Sequence, residues 1–396
     1  MSEEVIKKHM RIACPGCNDK LAVETEFSLK KHVCEKCGTK FYVPEVFGPY
    51  QLTDTSSNDE TTSTHHGINL DDEKAAVIRR LRPEFKLNGI VKKVFFEETE
   101  KLKDLTIEGL VKASHAGDVN GIPYIVLEHY GSTCLKRKLR KEKFALIESC
   151  YMFLDILGTL EPFAEQSLVH GNLKPSNIRY DEHDNVRILD FGMSAALVKA
   201  LMKEKSDIKY YNNPYYIAPE TVKSGELTPS SDIYSLGAIF YEMISGHKPF
   251  EKLSPVEAML EKQKELPEPP NHLKPGIPPA LNGLIMGMID INPKRRPQFF
   301  VQVVAIIQKV IEEFEEKKEE KKELSEEELE IEKELNMTNC GYEASVIKKD
   351  DIPEFKIPET PAKKSSIEQN PVQAGLIFVL VIIVVILSVL YFGMSD

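Results

Sequence analysis

The chain has 396 residues, 42% of them apolar, which is enough for one large domain with accessory segments and excludes wholesale disorder. The net charge of −11 is concentrated: residues 312–334 hold 13 Glu and 5 Lys, giving −8 and leaving −3 for the rest. That distribution provides no chain-wide basic field for nucleic acid. Seven cysteines, four of them in two C-x-x-C pairs, indicate a metal site plus free thiols in a reducing compartment.

The first zone, residues 1–45, holds Cys14-Pro15-Gly16-Cys17 and Cys34-Glu35-Lys36-Cys37-Gly38, with 16 residues between the pairs. Each C-x-x-C closes a tight knuckle whose sulfurs face one ion, and Gly16 and Gly38 are expected to relax the two turns. Four thiolates form a closed tetrahedral site, so Cys14, Cys17, Cys34 and Cys37 are expected to bind a structural Zn2+ in a zinc ribbon. No coordination position is left for catalysis. Residues 1–46 carry eight Lys/Arg against seven Asp/Glu, with Phe27 and Phe41 as the few aromatics. This balance favours a protein-docking or stabilising module over a nucleic-acid partner. The polar N-terminus lacks the apolar core of a secretory leader.

The second zone, residues 48–313, alternates short β-rich runs with longer helical patterns. It contains His170-Gly171-Asn172-Leu173-Lys174-Pro175-Ser176-Asn177, and then Asp190-Phe191-Gly192, thirteen residues (190 − 177) beyond Asn177. Ala76-Val77-Ile78-Arg79, Ile217-Ala218-Pro219-Glu220, Ser231-Asp232-Ile233-Tyr234-Ser235-Leu236-Gly237 and Asn292-Pro293-Lys294-Arg295-Arg296-Pro297 lie around them in order. Together these stretches resemble the protein-kinase family, whose signatures include H-R-D-L-x-x-x-N, D-F-G, V-A-I-K and A-P-E.

The resemblance implies an α+β, two-lobed protein-kinase-like fold and several roles. Asn177 and Asp190 would supply oxygen ligands to Mg2+, and Lys174 would steady the transferring phosphate of ATP. Arg79 stands where the family has its lysine, with Glu98 as the partner on the following helix. Glu128 and Tyr130 fall in the segment that contacts adenine, and Arg296 would pair with Glu220. Four departures point away from efficient catalysis. The stretch from Tyr50 to Lys74 has Gly67 as its only glycine, so backbone amides cannot approach phosphates closely. Arg79 brings a wide planar fork to a place suited to a point charge. Gly171 replaces the arginine that grips a phosphorylated loop, and residues 193–217 contain Ser194 and Ser206 but no threonine. Asn172 occupies the position of the general base, and an amide cannot accept the substrate proton. Losing a general base lowers a rate by about 10² to 10⁴.

Other residues carry blander expectations. His65-His66 reads as a solvated pair in a polar loop, His170 as a structural member of its loop, and Tyr210-Tyr211 and Tyr215-Tyr216 as parts of a packed substrate-side loop.

The third zone, residues 314–370, is a charged helix followed by a flexible linker. Glu313/Lys317, Glu315/Lys318 and Glu319/Lys322 lie at helical spacing, and Pro353, Pro358, Pro361 and Pro371 break the polar stretch beyond. The last zone, 374–392, is 19 residues without charge. At about 1.5 Å per residue it reaches roughly 28 Å, the span of a transmembrane helix. Lys363 and Lys364 precede it and only Asp396 follows with charge. The expected topology is therefore single-pass and tail-anchored, with the bulk of the chain cytoplasmic.

The function expected is a membrane-anchored, pseudokinase-like signalling scaffold with residual Mg-ATP binding and protein partners. A working Ser/Thr protein kinase that tolerates Asn172 is the alternative, and a tethered zinc-ribbon adaptor is the second.

Overall fold

The computed structural model describes residues 9–24, 28–131, 133–205 and 213–338. Phe27, Ser206, Tyr210-Tyr211, Cys340, the Pro-containing linker and the apolar segment 374–392 lie outside them. Among the described residues no helix is long and apolar enough to cross a membrane. The chain divides into two units, Met1–Glu327 and Glu328–Asp396. Of the second, the described part is helix as far as Thr338.

The first unit begins with two short antiparallel hairpins, β1 (His9–Ala13) with β2 (Lys20–Glu24) and β3 (Lys31–Val33) with β4 (Lys40–Tyr42). Each hairpin carries one C-x-x-C in its turn. The turns are built alike: Asn18 N–H donates to the Cys14 carbonyl and Gly38 N–H to that of Cys34, both at 2.8 Å. The left-handed residues are Asn18 (φ 59°) and Gly38 (φ 73°), types that tolerate positive φ. Gly16 serves differently from expectation. A Cβ there would fall 2.1 Å from Thr39 Oγ1, so it permits close approach of the two hairpins.

A six-stranded antiparallel sheet follows, in the order β5-β6-β7-β8-β10-β9. Its strands are β5 (Glu45–Phe47), β6 (Tyr50–Asn58), β7 (Thr62–Asn69), β8 (Ala75–Leu81), β9 (Ala113–Val119) and β10 (Ile122–Leu127). Alternation along β8 sets its two faces. Val77 and Leu81 join the main core, as does α1 (Gly89–Asp104) through Val91, Phe95 and Leu102. Ile78 faces the other way, into a cluster with Phe47, Tyr50, Leu52, Tyr124 and Val126, on which Leu29 of the cysteine module packs. Arg80, on that outer face, holds edge strand β5 through two bonds to Glu45, at 2.6 and 2.9 Å, while its guanidinium lies 4.8 Å from the Phe47 ring centre. Arg79 is thereby turned inward, toward the cleft.

The remainder is mainly helical: β11 (Thr133–Cys134), α2 (Leu135–Lys141), α3 (Leu146–Glu165), β12 (Ile178–Tyr180), β13 (Val186–Ile188) and α4 (Met193–Lys205). Then come α5 (Pro219–Ser224), α6 (Pro229–Ser245), α7 (Pro255–Glu261), α8 (Pro270–Leu273), α9 (Pro279–Met288) and α10 (Phe300–Thr338). Helices α5 to α9 each start on a proline, whose missing N–H is one no helix start can satisfy internally. Helix α6 is apolar on nearly every face and is correspondingly buried all round, with Phe240 stacked 4.0 Å from Phe153 of α3. Thr228 caps its start, accepting from Ser231 N–H at 3.2 Å, and Gly246 (φ 80°) ends it.

Helix α10 buries Val303, Ile307, Val310 and Ile311 on one stripe. Thus the charged helix of the third zone is continuous with the last helix of the domain. Near its start Glu313 lies 4.0 Å from Lys309, and Glu315 accepts from Tyr151 Oη at 2.7 Å.

Candidate active site

Three segments converge in the cleft between the sheet and the helices: the inner face of β8, the loop from His170 to Asn177, and Asp190 after β13. The loop is fixed from below by Asp232 in the first turn of α6. Its carboxylate accepts the His170 N–H at 2.6 Å and the Gly171 N–H at 2.8 Å. Burial pushes the Asp232 pKa up to about 7 against those two donors. His170 is structural: its Nδ1 accepts Asn172 N–H and its Nε2 reaches the Leu189 carbonyl, each at 3.1 Å. Gly171 has φ 71°, and a Cβ there would meet the Ala195 Cβ at 2.9 Å. Its backbone and neighbours leave no room for the arginine of the family pattern.

Asp190 (φ 70°) is the centre of the site. Arg79 Nη2 lies 2.8 Å from its Oδ1. Asn172 Nδ2 donates to Oδ2 at 2.7 Å, and Asn177 Nδ2 donates there at 3.4 Å. Ser194 N–H donates to Oδ1 at 3.2 Å. The same Arg79 donates to Ser194 Oγ at 2.6 Å and, through Nε, to Thr62 Oγ1 at 3.0 Å. It also lies 3.3 Å from Asp59 Oδ2. Asp59 sits in the β6–β7 turn, where it accepts from Thr61 N–H and Thr62 N–H at 2.9 and 2.7 Å. Burial pushes its pKa up, but Arg79, Lys174 and the turn amides outweigh that and hold it below the ordinary carboxylate value. Lys174, on the other wall, is held below the usual ammonium value by burial, which the Asp59 and Asp190 charges oppose.

Arg79 and Glu98 do not pair. Glu98 is bound by Lys101 at 2.6 Å, because α4, directly after Asp190-Phe191-Gly192, packs along α1 and fills the approach from α1 to β8. A Cβ at Gly192 would lie 3.4 Å from Glu98 Oε2. Ser194, read in the sequence as part of a loop, is therefore a first-turn residue of a helix wedged against the site.

The segment of Glu128 and Tyr130, expected to contact adenine, is packed. The Glu128 carboxylate accepts from Lys112 N–H at 3.1 Å and pairs with Arg187. Tyr130 is 1% exposed, and the Arg179 guanidinium lies 4.7 Å from its ring centre, donating to the Gly131 carbonyl at 3.3 Å. Arg179 thus covers the segment expected to contact adenine. Elsewhere Arg296 grips Glu220 with two bonds of 2.7 Å. His65 and His66 lie in strand β7, not in a polar loop: His65 is 2% exposed between Thr55 and Ser63, and His66 pairs with Asp54 at 2.8 Å. Tyr216, buried, donates to Glu242 at 2.6 Å, and Tyr215 to the Leu253 carbonyl at 3.1 Å.

Sequence reasoning missed Asp59 and Arg179. The signals were present: Asp59 is a turn aspartate ahead of two threonines, and Arg179 is a cation in the otherwise apolar run Ile178–Tyr180.

The four cysteines form a second, separate site. Their sulfurs all lie within 4.8 Å of one another, with Cys14–Cys37 at 3.5 Å and Cys17–Cys34 at 3.8 Å. Tetrahedral thiolate coordination at about 2.3 Å places sulfurs about 3.8 Å apart. The donor set and its spacing fit a structural zinc ion.

A sheet lobe over a helical lobe, with an asparagine and an aspartate meeting in the cleft, defines the class of phosphotransfer domains. The profile of the protein kinase domain matches residues 60–311, so the chain belongs to the protein kinase domain family. A probable serine/threonine-protein kinase of Clostridium perfringens is 28% identical over 235 residues, 59% of this chain and 34% of its own length. Serine/threonine-protein kinase PknB of Mycolicibacterium smegmatis is 25% identical over 221 residues, 54% of this chain and 35% of its own. The chain spans about a third of the length of the curated relatives it matches. The kinase domain of Mycobacterium tuberculosis PknI superposes with a TM-score of 0.53 at 14% identity, covering 67% of this chain and 97% of that one, a likeness of fold.

Family membership implies use of ATP and Mg2+, and Asn177 and Asp190 are brought together. In this arrangement, however, the residues do not fit that ligand. Both Asp190 oxygens are taken by donors, a guanidinium stands beside one of them, and Arg179 lies against the ring of Tyr130 in the segment expected to contact adenine. Admitting Mg-ATP requires Arg79 and Arg179 to move.

Proposed function

We propose that this protein is a membrane-tethered protein kinase domain held in a non-catalytic arrangement, working as a signalling scaffold through protein partners. The observation that carries the reading is the Asn172 amide donating to Asp190 at 2.7 Å while Arg79 holds the other carboxylate oxygen at 2.8 Å. A general base must receive a proton; here the side chain at that position is itself a donor, and it is spent on the group that would bind metal. The Arg79 guanidinium supplies the positive charge that a magnesium ion would otherwise bring. The wedge of α4 and the separation of Glu98 from Arg79 support the same reading, because phosphoryl transfer depends on positioning these parts together.

The accessory zones extend the proposal. The cysteine cluster is read as a zinc ribbon that docks or stabilises, since four thiolates leave no open coordination position. The uncharged run 374–392 is read as a C-terminal span that leaves the domain on the cytoplasmic face. The second reading, an active Ser/Thr protein kinase, is favoured by the proximity of Asn177 to Asp190 and by Lys174 on the cleft wall. A radiolabelled phosphate-transfer assay separates the two, with Asp190→Ala as control. The scaffold reading expects equal, background incorporation from both proteins. Incorporation by the unaltered chain that vanishes in the control would establish the second reading.

A further inference from the structure

Between the β6–β7 hairpin, α2 and the loop around Tyr215 lies a cavity of about 630 Å3. Seven cationic side chains and one carboxylate, Asp59, line it, a formal balance of 7 − 1 = +6. Arg79 is committed to Asp59 and Asp190. The other six cations are Lys136, Arg137, Arg140, Lys174, Arg179 and Lys248.

A stripe of basic residues is ordinarily a solvated surface, and two observations distinguish this cleft from one. The first is Arg179, 4% exposed, whose Nε is buried without a hydrogen-bond partner. A buried guanidinium with an open donor is costly, and Arg179 lines this cleft. The second is α2, Leu135–Lys141, which carries no acidic residue. Among the described residues Lys136, Arg137 and Arg140 have no carboxylate at salt-bridge distance. Hydroxyls of Thr55, Ser56 and Ser176 complete the walls with neutral donors.

Such a lining repels metal cations and attracts concentrated negative charge. Its volume lies within the roughly 300–1,000 Å3 typical of small-molecule sites. Of the floor cations Arg179 is buried and Lys174 half-buried, so the group that reaches them must carry much charge in little space. Phosphate does so; a peptide's carboxylates spread one charge per residue. The Tyr130 side chain is 1% exposed and its ring already has the Arg179 guanidinium against it. We propose that this cleft binds a small polyphosphorylated molecule through its phosphates, without a metal ion. The proposal depends on the charge of the cleft and not on the scaffold reading, so a phosphate-transfer result leaves it standing or falling on its own test.

The test is calorimetric titration of the full chain in a mild non-ionic detergent with excess EDTA. Sodium tripolyphosphate and inositol hexakisphosphate are the probes, distinguishing a linear from a ring-borne polyphosphate, and a decapeptide of glutamate is the comparison. At least one polyphosphate is expected to bind in EDTA and to weaken steeply with added salt. The Lys136→Glu/Arg140→Glu double variant, altered on an exposed helix face, is expected to bind about tenfold more weakly or worse, because two charge-assisted contacts are lost and two repulsive charges gained. Arg179→Leu is expected to lose binding while keeping its melting temperature. Absence of binding by both polyphosphates, binding that disappears in EDTA, or affinity unchanged by the charge reversal would each overturn the proposal. Binding of the glutamate peptide without the polyphosphates would overturn it in favour of peptide docking.

Discussion

Replacing Arg79 with methionine removes a guanidinium that touches both Asp59 and Asp190. The side chains of Arg79, Asp190 and Asp59 are 4%, 1% and 10% exposed. The variant therefore leaves two carboxylates in the cleft with their guanidinium gone. Breaking a buried pair from one side costs about 3–5 kcal/mol. At roughly 2–4 °C per kcal/mol for a domain of this size, the melting temperature should fall by about 6–20 °C at neutral pH. The pH dependence has a definite sign. Asp59 is held below its ordinary pKa in the folded protein, so its pairing stabilises above the unfolded value and is lost as pH falls through the folded one. The gap between the unaltered chain and the variant should therefore narrow in acid. Mg2+ provides the second arm. With Arg79 gone, the two carboxylates become a cation site, and magnesium at 100 times its dissociation constant would return about 2.7 kcal/mol. The unaltered chain should show no such gain. Differential scanning calorimetry at pH 7.5 and at about pH 3.5, below the ordinary carboxylate value of 3.8, with and without magnesium chloride, reads all of this. A variant as stable as the parent at pH 7.5, or magnesium stabilising both proteins equally, would refute the reasoning.

Arg296→Met should destabilise the helical lobe by about 3–5 kcal/mol, since it strands Glu220 beside a site whose guanidinium is 0% exposed; a urea midpoint equal to the parent's would count against this. Two buried imidazoles set an acid slope: burial lowers His65 to about 3 and His170 to about 4. Both are neutral when folded and protonate on unfolding, so stability is lost as pH falls below about 6.5, by about 1.4 kcal/mol per pH unit for each. His65→Gln should make that slope shallower by about one proton, and superimposable slopes would dismiss the assignment. Full chain purified without chelator should carry one zinc per molecule by elemental analysis, and Cys34→Ser should carry none. Its hairpins should then become protease-sensitive, because metal contributes about 10–16 kcal/mol to folding such modules. A zinc-free parent would remove the ribbon from the account.

Much of the family architecture was legible because its signals are local. His170 to Asn177, Asp190 and Glu220 with Arg296 carry enough residue chemistry in short stretches to announce their roles. The same letters did not announce which partner Arg79 takes. Its choice of Asp190 over Glu98 follows from α4, which starts at Met193 and occupies the approach to α1. That helix was unreadable because residues 193–205 sit where an extended loop was expected, and their apolar positions match a helix only once the face they bury is known. Asp59 and Arg179 were missed for a related reason. Arg79 meets Ser194 across 115 positions and Arg179 meets Gly131 across 48, so nothing in the neighbourhood of either residue records the contact. His65-His66 was misread from polarity alone. Strand parity turns one ring into the fold and the other toward Asp54, although both neighbours are hydrophilic.

The central claim is that the site donates where a kinase must accept, with Arg79 seated in the place of the metal. The most direct measurement is transfer of radiolabelled phosphate from Mg-ATP by the purified full chain, to itself and to a generic protein substrate, beside Asp190→Ala. The account predicts incorporation by the unaltered chain no greater than by the control. Incorporation that is well above the control and abolished by Asp190→Ala would contradict it.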